Sequence, residues 1–461
     1  MYHQSQHRLW LVASLMALHG CTGTPQLAVA PQVSSPRWSS TATTGTSITA
    51  TPTPGEATSG ADFGKLLGSP ELTALITRAQ SSSPSLLAAA ARIGQARALV
   101  RLARGASLPT LSIGTNISAN SLAGGRGLDF ASNFATIDAA LSINLAGAGA
   151  AGKRSAVKRA MASEFDRDAL VLAMSAEIAR TFVARSGLQG RIVLIDQSIA
   201  KAAQLQRIIE LRQREGVAAM VDVGLQTIRV QQLRAERERL ELSLEQTRVA
   251  LALMVGVEAP EFDATPADIQ ALSIPDIAPP PPSTIIASRP DVRAAEARVA
   301  AAGGDVEQAR AAFFPQLDLS LGRNAQSFLG SGLLSGLSIG ASLMAPIFSR
   351  NRLSGNLDFS AAQQRESVQI YRQVLLTALT DVEGGLSAAD HARKRSAILA
   401  SMTSEARRTA ALARIQYLEG DADLRHLLDA QDLLINAQDA ELVSRQERLE
   451  AAIALYRNTR G

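Results

Sequence analysis

The chain has 461 residues, 46% hydrophobic but only 4% aromatic, so apolar surface is plentiful while a compact core built on large rings is excluded. Its 46 basic and 42 acidic residues leave a formal charge of +4, and arginines interleave with glutamates along helical stretches, which argues against a nucleic-acid stripe. A single cysteine, Cys21, excludes an internal disulfide framework or thiolate cluster, and beyond His3, His7 and His19 only His391 and His426 remain, so no metal site and no catalytic residues are expected.

At the N-terminus a polar start leads into the apolar run Leu9–Leu18 and then Leu18-His19-Gly20-Cys21. That run has the length of a secretory signal and is too short to span a bilayer as a helix. Leu18 to Cys21 is similar to a bacterial lipobox, which makes residues 1–20 a lipoprotein signal peptide and Cys21 the acylated first residue, its only attached group a lipid. Residues 21–68 are dominated by Ser, Thr, Pro, Ala and Gly. They carry too little apolar surface to offset ordering entropy and are expected to form a lipid-anchored flexible linker. No later apolar run is long enough for a transmembrane helix.

The rest of the chain is an internal duplication, residues 69–276 and 284–461, around the Pro-rich linker 277–283. At a shift of 206, Pro84 meets Pro290, Arg92 meets Arg298, Arg104 meets Arg310 and Pro109 meets Pro315, with twelve identities in the 28 positions 84–111. Further on the shift becomes 204, where Glu215-Gly216 meets Glu419-Gly420. Each half opens with a helical stretch, 69–107 or 289–314, that ends at Pro109 or Pro315. A β-hairpin follows, 109–146 or 315–348. Its strands alternate Leu111, Ile113, Ile137, Leu141 and Ile143, or Leu317, Leu319, Leu321, Leu337 and Ile339, with Ser, Thr, Asn, Asp and Gly. Next comes a long helical pattern, about 153–214 or 351–418, and after Gly216 or Gly420 a return helix.

The fold class is therefore mainly α with a small β part: a long antiparallel helical barrel or coiled coil plus four strands per chain. Strands of about ten residues with one aliphatic face can cross a bilayer when tilted. Four cannot close a barrel, and lipid tolerates no open edge, so the chain is expected to oligomerise, and three copies would give twelve strands.

The duplicated proline-then-strand units, Leu343-Met344-Ala345-Pro346-Ile347-Phe348, and the turns Glu215-Gly216-Val217-Ala218 and Tyr417-Leu418-Glu419-Gly420 resemble the TolC family of outer-membrane efflux proteins. Cys21 brings the chain nearest the lipoprotein, NodT-type branch that serves RND efflux systems. The resemblance implies a passive trimeric exit duct in the bacterial outer membrane, its helical tunnel crossing the periplasm to meet an adaptor protein and an inner-membrane pump. It also implies a periplasmic gate at Asp222, Tyr417, His426 and Asp429. Asp222 and Tyr417 match a hydrogen-bonded pair, and Asp429 matches one of two acidic rings. His426 stands at the second ring, with Ala422 where the family has an arginine. Gly216, Val217, Gly420 and Asp421 become adaptor-contact tips. Departures are the stretch Leu145–Gly149, which lacks the usual aromatic and acidic residues, and a thin aromatic girdle of Phe130, Phe134 and Phe328.

Two alternatives are a duct for type I protein secretion and a pore-free periplasmic coiled-coil scaffold. The stretch Gly147–Ser155 mimics a phosphate-binding loop, but Arg154 occupies the hydroxyl position and the preceding strand alternates, so these glycines are read as a bend between barrel and tube.

Overall fold

The structure, a computed structural model, describes residue 38 and residues 62–106, 108–120, 130–328 and 334–460. Three helices come first: α1 (Asp62–Leu67), α2 (Pro70–Ser82) and α3 (Pro84–Gly105). The hairpin β1 (Thr110–Asn120) and β2 (Phe130–Asn144) leads into α4 (Ala148–Arg214) and its return helix α5 (Met220–Val255). The second half repeats the order: α6 (Pro282–Ser288), α7 (Pro290–Ala311), β3 (Gln316–Phe328), β4 (Leu334–Met344), α8 (Arg350–Glu419) and α9 (Leu424–Thr459).

At 67 and 70 residues, α4 and α8 extend about 100 Å each at 1.5 Å per residue. Neither is amphipathic in one continuous sense, because successive stretches bury different faces against different neighbours. Near its start α4 lies on α7, and farther along on α5 and α9. Small residues make the first crossing possible. A Cβ on Gly304 would stand 3.0 Å from that of Ser155, so α7 and α4 touch almost backbone to backbone.

The main core gathers Phe63, Leu67, Leu72, Ile76, Ile178, Phe182, Leu251, Ile269 and Ile453, with the Phe63 and Tyr456 rings edge to face at 5.1 Å. Three arginines tie the connecting segment between α5 and α6 onto this core. Arg185 donates to the Ala264 carbonyl at 3.0 Å, Arg248 to Phe262 at 2.9 Å, and Arg445 to Ile269, Gln270 and Leu272 at 2.8–3.0 Å.

Two expectations change here. The single helix over 69–107 is broken: Ser83 is extended (φ −65°, ψ 123°) and α3 begins at Pro84. Proline excludes the residue before it from helical geometry while suiting the first helical position itself. Gly256, at φ +80°, fits into that break, where a Cβ would lie 2.6 Å from the Ser82 carbonyl oxygen. The linker assigned to 21–68 also holds order. Residues 62–67 are helical with Phe63 and Leu67 buried, and the Trp38 indole N–H donates to the Pro280 carbonyl at 2.9 Å, its ring resting on Ile285, Val382, Leu386 and Leu455. An aromatic ring and a pair of apolar side chains four residues apart suffice to dock an otherwise polar segment.

Candidate functional site

Two places concentrate unusual surface: the sheet at one end of the long helices and the helix turns at the other. The four strands form one antiparallel sheet in the order β1-β2-β3-β4, so among the described residues β1 and β4 are edges with no neighbouring strand. Register aligns the alternation across all four strands. One face carries rows such as Leu111–Ala139–Leu321–Ile339 and Ile143–Leu317–Leu343. The other carries Ser112–Asp138–Gly322–Ser338 and Ser142–Asp318–Ser342. Among the described residues nothing covers the aliphatic face: Ile113 is 75% exposed and Ile339 80%. At its helix-side margin Leu108, Leu145, Ile347 and Phe348 are exposed as well. On the polar face Gly322 leaves room for its neighbours: a Cβ there would meet Asp138 Oδ1 at 2.7 Å and Ser338 Oγ at 2.8 Å, and those side chains would have to turn aside. The side chains of Phe130, Phe134 and Phe328 lie outside those described.

Below the sheet, Asn144 turns the chain into α4. Its amide donates to the Ala311 carbonyl at 3.1 Å, and its Oδ1 accepts from the N–H groups of Ala146 and Ala148. Gly147 takes φ +76° at the bend. Ser155, the hydroxyl of the phosphate-loop lookalike, is buried and donates to Asp305 at 2.7 Å, while Arg154 pairs with Glu307. The stretch is a structural joint.

At the far end both long helices stop in the same way. Gly216 (φ +75°) and Gly420 (φ +87°) follow α4 and α8. Val217 N donates to Arg212 O at 2.8 Å and Asp421 N to Gln416 O at 2.9 Å. Each is the six-to-one bond that satisfies a terminal carbonyl when a glycine turns left-handed. The return helices are capped differently. Asp222 Oδ2 accepts from Ala219 N at 3.2 Å, whereas Asp423 Oδ1 accepts from His426 N at 2.9 Å.

The expected gate residues come near one another only in part. Asp222 is engaged as a cap, and Tyr417 is buried in the tip core with Leu205, Ile209, Leu424 and Leu427, with the Arg212 guanidinium 5.0 Å from its ring centre. Among the described residues no hydrogen bond joins Asp222 to Tyr417; the Asp222 carboxylate accepts from Ala219 N instead. His426 and Asp429 are exposed on α9. Repeat alignment at the shift of 204 pairs Asp222 with His426 and Leu225 with Asp429.

The same alignment exposes an asymmetry. The first tip and its return helix present Val217, Met220, Val221, Leu225 and Ile228, of which the first three are 70–73% exposed. The equivalent positions of the second are Asp421, Leu424, Arg425, Asp429 and Asp432, with Leu424 buried. Sequence reasoning had reached Val217 but not Met220 or Val221, although their spacing alone marks an apolar face. It also missed Asp432, which pairs with Arg229 of α5. Burial pushes the Asp432 carboxyl above the ordinary carboxylate range and Asp429 adds to that push, while Arg229 opposes it. Cys21 lies outside the described residues, and no helix among those described is long and apolar enough to cross a membrane.

Comparison with known proteins follows the same division into halves. The family described as "Outer membrane efflux protein" matches residues 75–257 and 282–459. The chain is 31% identical over 405 residues to the pyoverdine export outer membrane protein OpmQ of Pseudomonas putida, covering 85% of this chain and 86% of that one. It is 26% identical over 401 residues to the toluene efflux pump outer membrane protein TtgF of Pseudomonas putida, covering 84% and 82%. A crystal structure of a membrane protein from Pseudomonas aeruginosa superposes with a TM-score of 0.80 at 27% identity, covering 86% and 94%. With an amphipathic four-stranded sheet, duplicated helical hairpins and both halves matched, the chain belongs to the outer membrane efflux protein family.

Proposed function

We propose that three copies of this chain close a twelve-stranded barrel in the outer membrane, continued by the long helices as a tunnel, and that the assembly is the passive exit duct of a tripartite efflux system. The observation that carries this reading is the sheet: four strands with an uncovered aliphatic face and two open edges. In lipid those edges must be paired, so β4 of one copy meets β1 of the next. Two copies would make an eight-stranded barrel just wide enough for its own side chains, whereas twelve strands leave a water-filled lumen lined by Ser112, Asp138, Ser142, Asp318 and Ser338. A soluble scaffold would leave Leu111, Ile113, Leu337 and Ile339 facing water. Acylation at Cys21 adds a second hold on the membrane, and an adaptor with its inner-membrane pump engages the opposite end at Gly216, Val217, Gly420 and Asp421. Asp222, Tyr417, His426 and Asp429 sit where that end narrows.

Small molecules are the class of cargo, in keeping with relatives whose names speak of pyoverdine export and toluene efflux. The test is to purify the protein in detergent and measure its migration before and after heating, and then its conductance in planar bilayers. A heat-modifiable trimer that opens ion-conducting channels is expected. A monomer that stays dissolved without detergent after Cys21→Ser, and conducts nothing, would end this reading.

A further inference from the structure

Arg323 stands on the wrong face of the sheet for a charge. It lies in the row Ile113–Ile137–Arg323–Leu337, in step with Leu317, Leu319 and Leu321 along its own strand, and it is exposed. The sheet's acids, Asp138 and Asp318, have the opposite parity and belong to the polar face. Among the described residues no carboxylate shares the aliphatic face with Arg323.

Its height on that face is informative. Rows begin at the margin where Leu145 N bonds the Pro315 carbonyl at 3.3 Å. Ile137, the neighbour of Arg323, is eight residues farther along the strand. That is about 27 Å of strand, or roughly 20 Å of depth at a tilt near 40°. Outer-membrane barrels carry an apolar band about 25 Å tall. The next row toward the loops holds Ala325 and Ser335, so among the described side chains the unbroken aliphatic rows stop where Arg323 stands.

A guanidinium at that height is costly in hydrocarbon and stable only if its long stem lies along the barrel and its head reaches the polar layer. The anion waiting there is phosphate, whose oxygens match the guanidinium fork in a paired hydrogen-bond geometry. We infer that Arg323 is a binding site for a phosphorylated lipid of the outer leaflet, one per protomer, and that this contact sets the height of the barrel in the membrane. The inference rests on the barrel reading above.

The experiment compares the parent protein with Arg323→Gln and Arg323→Lys in three kinds of vesicle: phosphatidylcholine alone, with diphosphoryl lipid A, and with dephosphorylated lipid A. All three proteins carry Cys21→Ser, so that flotation reads insertion of the sheet and not of the acyl chain, and native mass spectrometry of the extracted trimers reads retained lipid. All three proteins are expected to float. Diphosphoryl lipid A should be retained by the parent and by Arg323→Lys. Arg323→Gln should retain about fivefold less, the effect of one basic side chain at an anionic surface. Dephosphorylated lipid A should show no such difference, and inorganic phosphate should displace nothing. Equal retention by Arg323→Gln and the parent, with all proteins floating, would overturn the site, and displacement by inorganic phosphate would reassign it to a free anion. Failure of the parent itself to float would instead overturn the barrel, and the site with it.

Discussion

The aliphatic sheet face can be tested by moving one charge by one residue. Ile339 lies on the aliphatic face one row nearer the helices than Arg323, 80% exposed within the chain, in the row with Leu111, Ala139 and Leu321. Ser338, its neighbour, has the opposite parity, in the row with Asp138 and Gly322, and donates to the Gly322 carbonyl at 3.3 Å. A lysine on the lipid side of a barrel costs about 2–4 kcal/mol at mid-bilayer. Three copies therefore lose roughly 6–12 kcal/mol, comparable with the whole stability of many folded proteins. On the polar side a lysine stands in water near the Asp138 carboxylate and costs little. Ile339→Lys should thus abolish the heat-resistant trimer in isolated outer membranes, whereas Ser338→Lys should leave it near parental abundance. Both are read on gels of heated and unheated samples. Equal trimer yields from the two variants would refute the assignment of faces.

Gly256→Ala should lower the thermal midpoint, followed by circular dichroism, more than Gly216→Ala does. Both positions have positive φ, worth about 1–2 kcal/mol against alanine, but a Cβ at Gly256 also meets the Ser82 carbonyl at 2.6 Å whereas the space at Gly216 is open. The Asp432 carboxyl, raised mainly by burial, binds its proton more tightly when folded than when unfolded. Its contribution to stability therefore grows as pH falls from neutrality through the raised value into the ordinary carboxylate range, and fades as pH rises again. Thermal midpoints of the parent should accordingly gain on those of Asp432→Asn over that fall in pH. Trp38→Ala removes the bond to Pro280 and should speed proteolytic cleavage ahead of residue 62 without altering the core midpoint. Replacing Val217 and Val221, both at least 70% exposed, with aspartate should stop export in cells while trimers persist; sustained export would free that tip of any docking role.

The long elements were legible because their physics is local. Leu and Ile at every second position fix strand faces, the glycines at 216 and 420 end the helices, and Pro109 and Pro315 begin the strands in both halves. What stayed hidden depends on distant partners. An alanine-rich stretch reads as one helix through Ser83, and only the outsized weight of a single proline betrays the break that Gly256 fills. The pairing of β2 with β3 joins hairpins far apart in sequence, and alternation constrains their faces but not their adjacency. At the tips the resemblance implies a partnership between Asp222 and Tyr417; that the carboxylate also serves its own helix start and that Arg212 lies over the ring had no signal in the sequence. The Arg229–Asp432 pair spans two helices and has no local signature.

The unlike helix turns have a consequence for symmetry. Each chain offers two hairpin ends of the same backbone shape, one oily at Val217, Met220 and Val221, the other charged at Asp421 and Arg425. A closed ring of three chains would look six-pointed in outline while repeating its chemistry only every second point. A hexameric collar built from identical subunits would then have to grip alternate points with different strengths, whereas three subunits, or three pairs, could seat on equivalent ground.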